Sequence, residues 1–155
     1  MKTFERAKDV LDNVQGFHDQ VGQLYHELSD RAENERVKML LGFMSDHEQK
    51  FCQSLASYEE TMPRAVRDTW FQYTQEETTE TFLKKLDLQP KLSIDDVTDL
   101  GMRVDSYLES LFQELSSIAD SEGAIEVQEV FRNLLEMEQE AKRTLSKTID
   151  SIWDM

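Results

Sequence analysis

VKMLLGFMSDHEQKFCQSLASYEETM, residues 37–62, is the stretch from which the rest of the chain can be read. Taken at alternating steps of four and three, it gives Val37, Leu41, Met44, Glu48, Phe51, Leu55, Tyr58 and Met62. This is one apolar helical seam broken by a single carboxylate. An unpaired carboxylate in a core is costly, so Glu48 calls for a proton, a hydrogen-bond donor, a cationic partner or a metal. Pro63 ends the helix, because it has no N–H to donate and turns Met62 away from helical angles.

Upstream, residues 3–31 carry a second seam through Phe4, Ala7, Leu11, Val14, His18, Val21, Tyr25 and Leu28, reaching Ala32 and interrupted only by His18. Gly16 and Gly22 weaken this helix locally. The turn SDRAENE leads into the helix of residues 34–62, which makes the two antiparallel neighbours. Downstream, residues 63–93 form the one long connection. Trp70, Phe71, Tyr73, Phe82 and Leu86 make it too apolar for a disordered tail, and short helices are predicted at 64–73 and 77–87. No sheet is required.

Pro90, then Ser93 with Asp96 three residues on, opens a third helix over 94–119 with a capping box. Its inward line reads Thr98, Gly101, Asp105, Leu108, Phe112, Leu115 and Ala119. After the turn DSEG, a fourth helix over 123–152 shows Val127, Phe131, Leu134, Glu138, Ala141, Leu145, Thr148 and Ile152. Each seam therefore contains one ionisable residue.

The two halves repeat. LYHELSDRA at 24–32 matches LFQELSSIA at 111–119, and in the same register Glu48 aligns with Glu138 and His18 with Asp105. His18, Glu48, Asp105 and Glu138 each lie about 14 residues, or roughly 21 Å, from their loop, which puts all four at mid-bundle. One such residue is more often a hydrogen-bonded core group than a ligand. Four at one level, three of them acidic, repel unless protons, a base or a cation neutralise them, and they point to a cation site.

The formal charge of −15, from 32 acidic and 17 basic residues, disfavours nucleic acid and anionic membrane and admits cations or a basic protein partner. Acidity that only maintains solubility explains it equally well. The single cysteine, Cys52, excludes an internal disulfide and has no basic cluster to activate it. MKTFERAKDV has no apolar leader core, and no stretch approaches the ~18 apolar residues of a membrane span, so a cytoplasmic location is expected. His47 points about 100° away from Glu48 around its helix, and His26 follows the seam residue Tyr25, so neither is expected as a ligand.

Taken together, these features resemble the ferritin-like superfamily, particularly its rubrerythrin-type branch, over almost the whole chain. That family has a Glu seven residues before an aromatic in helices one and three, and Glu-x-x-His in helices two and four. The corresponding positions are His18 with Tyr25, Asp105 with Phe112, Glu48-Gln49-Lys50-Phe51 and Glu138-Gln139-Glu140-Ala141. The resemblance implies an all-α, up-down-down-up four-helix bundle with a long crossover, and a homodimer. Both motif histidines are replaced, by Phe51 and Ala141, and six ligands become four. A di-iron centre lacks its nitrogens, and no CxxC pair supplies a rubredoxin-like iron site.

Two functions follow. The first is metal or redox handling at a reduced site, one iron, manganese or zinc ion held by His18, Glu48, Asp105 and Glu138. The second is a non-catalytic binding, regulatory or oligomerisation module whose aromatic crossover, Trp70 to Tyr73, docks a partner or second copy. Acid–base catalysis has little support, since no nucleophile with a paired base and no phosphate loop is present.

Overall fold

The computed structural model describes residues 2–74, 77–86, 88 and 91–154. Among these, the chain runs β1 (Lys2–Arg6), α1 (Ala7–Arg31), α2 (Glu35–Thr61), α3 (Arg64–Arg67), β2 (Trp70–Thr74), α4 (Thr79–Lys84), α5 (Ile94–Ser121) and α6 (Ile125–Trp153). The protein is predominantly helical, and the four long helices share one apolar core. Apart from Phe4, the seams read from the sequence face that core, with Leu28, Ala32, Tyr58, Thr98 and Thr148 only half-buried at its margins.

The strands correct three expectations. The first helix begins at Ala7, not at residue 3. The segment 64–73 is a single helical turn, Arg64–Arg67, followed by a strand. A small sheet exists, in which β1 pairs antiparallel with β2 from Lys2↔Thr74 to Arg6↔Trp70. The physical reason is the two-residue period of Trp70-Phe71-Gln72-Tyr73, which divides its side chains between two faces as a helix could not. Phe71 and Tyr73 turn inward, and the Phe71 ring meets Phe131 edge-on at 5.4 Å. Trp70 turns outward and stacks on Phe4 at 5.0 Å, with the Arg6 guanidinium 5.6 Å from its centre. Phe4 is therefore no core residue but is 63% exposed. The Tyr73 hydroxyl donates to Glu5 (3.1 Å), and the Ala7 N–H donates to the Thr69 carbonyl (3.0 Å), tying the start of α1 to the crossover. The helix expected at 77–87 is observed as Thr79–Lys84; Glu76, Asp87 and Pro90 lie outside the described residues.

Helix ends follow local chemistry. The Asn34 side chain accepts from the backbone N–H groups of Arg36 and Val37 at the head of α2. Ser93 and Asp96 form the expected reciprocal box at the head of α5. Gly123, at φ +73°, makes the left-handed turn between α5 and α6.

Cross-helix contacts fix the register around mid-bundle. Ser29 donates to the Lys38 carbonyl (3.1 Å), Ser45 to that of Gly22 (2.9 Å) and Cys52 to that of Gln15 (3.4 Å), so α1 and α2 are antiparallel. Gly22 permits close approach there, since a Cβ would stand 3.2 Å from Glu48 Cβ. At Gly101 of α5, a Cβ would come within 2.8 Å of Met44 and 2.9 Å of Leu145, so this glycine is where α2 and α6 both press on α5. Further along α2, the Tyr58 hydroxyl accepts from Asn133 of α6 (3.0 Å).

Candidate functional site: a histidine clamped between carboxylates

The four singled-out residues are all buried, His18 at 1% exposure, Glu48 at 5%, Asp105 at 6% and Glu138 at 0%. Each sits on the core stripe of a different long helix, with the Gly22 and Gly101 contacts drawing the backbones together beside them. Three of them touch. His18 Nδ1 bonds to Glu48 Oε2, and His18 Nε2 lies 2.7 Å from Glu138 Oε1. Asp105 completes the group electrostatically, without a direct bond to His18 among the contacts observed.

An imidazole whose two nitrogens both face ionised carboxylates satisfies them as a double donor, that is, as imidazolium. Burial alone would discharge it, but the charges of Glu48 and Glu138 outweigh that effect and push its pKa up to about 10. Asp105 behaves oppositely to an exposed carboxylate. Burial, reinforced by the charges of Glu138 and Glu48, pushes it up to about 8, so it holds its proton at neutral pH. Burial also raises Glu138, against the pull of His18. Tyr25 is raised well above its ordinary range by burial and by Glu48 and Asp105. At neutral pH the centre thus holds a charged His18 ring between Glu48 and Glu138, beside Asp105, which keeps its proton.

The positions that hold histidine in the resembling family contribute differently here. Phe51 stacks on the His18 ring at 4.3 Å and 30°, covering one face of it, while Ala141 is small and nearly buried. The step of three from Glu48 to Phe51 places the ring on the same helix face as the carboxylate. His47 is directed elsewhere. It stacks on Phe43 at 5.8 Å, lines a surface groove between α2 and α6, and burial lowers its pKa. His26 pairs with Asp30 (3.6 Å) and its side chain is 71% exposed, well out of the core. Burial, with Glu48 and Asp19, pushes the Cys52 thiol up to about 11, which makes it a poor nucleophile.

The donor set does not fit a di-metal centre, since Phe51 and Ala141 offer no nitrogen and both His18 nitrogens are engaged. Among the described residues, no three His, Cys, Asp or Glu side chains stand in metal-binding geometry. One feature favours a cation: Glu138 Oε2 is buried with no hydrogen-bond partner among the described residues. Also among them, no helix is long and apolar enough to cross a membrane. In comparisons with protein-family models, curated proteins and solved structures, nothing matches this chain.

Proposed function

We propose that the chain is a ferritin-like bundle that works without a metal centre, as a non-catalytic binding or regulatory module. The observation that carries this reading is His18, whose two nitrogens are both taken by carboxylates, so the charge a metal would neutralise is met by a proton. The kinship is supported by register. Met44 and Tyr58 of α2 face Leu145 and Asn133 of α6 in reverse order, so these two helices run antiparallel, and both meet α5 at Gly101, beyond the long crossover. Antiparallel second and fourth helices support an up-down-down-up reading over a simple up-down-up-down one. The net charge of −15 favours a basic protein partner, and the exposed Phe4–Trp70 stack supplies an apolar contact; a second copy of the chain is the competing occupant.

The test is elemental analysis of protein purified without chelator, together with thermal unfolding in the presence of ferrous iron, manganese or zinc. The expected outcome is no bound metal and an unmoved Tm. A bound ion that disappears in the Glu48→Gln/Glu138→Gln variant, with a Tm raised by metal, overturns the reading. That result would favour a second one, a single iron, manganese or zinc ion on His18, Glu48, Asp105 and Glu138, which the orphaned Glu138 oxygen supports. It requires the imidazolium to lose a proton first.

A further inference from the structure

A cleft of about 770 Å³ opens at the end of the bundle where α1 turns into α2. This is within the ~300–1,000 Å³ of small-molecule sites. Its walls are aliphatic: Leu24 and Leu28 on α1, Val37 and Leu41 on α2, and Leu88 and Leu92 from the segment leading into α5. Val37 and Leu41 are fully buried and form the floor, whereas the four other leucines are half-buried and present their remaining surface to the cleft. It shares no residue with the His18 centre, whose helix position lies six residues, or about 9 Å, from Leu24.

The mouth carries Arg31 and Lys91, and neither is in an ion pair among the described residues. Lys38, Lys50, Arg103 and Arg132 are likewise in no ion pair among the described residues, so what distinguishes Arg31 and Lys91 is their shared place on one aliphatic cleft. Glu27 and Glu33 share the rim, so the field there is mixed, and an anion must be held by local contact with Arg31 and Lys91 and not by long-range attraction. Arg31 also lies in the last turn of α1, where any cation is favourable; Lys91 has no such role.

We infer that this cleft binds a single-chain aliphatic carboxylate, with the tail against the leucines and the head group at Arg31 and Lys91. The inference goes beyond the function proposed above and does not depend on the state of the His18 centre.

The test is calorimetric titration in metal-free buffer with decanoate, dodecanoate and dodecanol, each below its aggregation threshold. Dodecanoate is expected to bind one-to-one, and decanoate about 15-fold more weakly, from two fewer buried methylenes. Arg31→Gln/Lys91→Gln, a surface change that leaves the walls intact, removes the preference for dodecanoate over dodecanol. Leu24→Glu, at a half-buried position, places a carboxylate in the wall and abolishes binding of all three. Absence of saturable binding by the native protein overturns the inference, as does binding without chain-length dependence or unaffected by Leu24→Glu. Sedimentation velocity supplies the remaining outcome. If the native protein is a dimer and Leu24→Glu is a folded monomer, a second copy covers the cleft and the ligand assignment is wrong.

Discussion

Replacing His18 by Leu keeps approximate volume and removes the cation that bridges Glu48 and Glu138. The ring's pKa of about 10 against an ordinary 6.5 corresponds to roughly 5 kcal/mol in favour of the charged ring. Breaking a buried ion pair by removing one partner costs about 3–5 kcal/mol, much of the ~5–15 kcal/mol that holds a domain together. In urea at pH 7 the midpoint should fall by about 1.5–2.5 M for a slope near 2 kcal/mol/M. The loss should shrink at pH 5, where the stranded carboxylates take up protons at less cost. Replacing His18, Glu48 and Glu138 together by Leu should recover most of the stability, because no charge is left without a partner. An unchanged midpoint for His18→Leu at pH 7, or an equal loss at pH 5 and pH 7, would refute the clamp. So would a histidine NMR titration in which His18 discharges near pH 6.5.

The other predictions concern the same neighbourhood. Both His18 and Asp105 have folded pKa values above their unfolded ones, so each contributes stability that is complete at low pH. It is lost from about pH 4 to 8 through Asp105 and from about 6.5 to 10 through His18, so urea midpoints should fall steadily toward alkaline pH. Asp105→Asn removes the first of these losses and should stabilise the protein at pH 7 by up to roughly 4 kcal/mol, shown by a flatter pH profile above pH 4. Gly22→Ala sets a Cβ 3.2 Å from that of Glu48; it should destabilise by about 1–3 kcal/mol and shift the His18 ring resonances as α1 moves off α2. If the fold is ferritin-like, His18→Glu with Phe51→His and Ala141→His restores the absent ligands, and iron uptake by this triple variant, absent in the native chain, is the expected readout.

Most of the helical frame was legible because a seam is a local signal. Val37 to Met62 repeats every three to four residues whatever lies across from it, and Ser93 with Asp96 states a helix start in four residues. The β1–β2 ribbon was not legible, because its pairing joins residues some 68 apart and Phe4 continues the α1 seam well enough to pass for a helical residue. The height of the four polar residues could be counted from the loops. That His18 would bridge Glu48 and Glu138, and leave Asp105 to its proton, depends on side-chain directions that counting cannot supply. The aliphatic cleft escaped notice for a similar reason, since its walls come from a turn and from a segment more than 45 residues further along.

The ribbon also bears on how the chain reaches its native state. The α1–α2 and α5–α6 hairpins can form from neighbours in sequence, whereas β1 must wait for β2. At a synthesis rate of about 5–20 residues per second, the 64 residues that separate Arg6 from its partner Trp70 take several seconds to appear. During that interval Phe4 has no Trp70 to stack on, and the first turn of α1 lacks the carbonyl of Thr69 that receives the Ala7 N–H. Closing this large loop is thus a late event, and residues 2–6 act as a latch that fastens an already collapsed α1–α2 hairpin to the crossover.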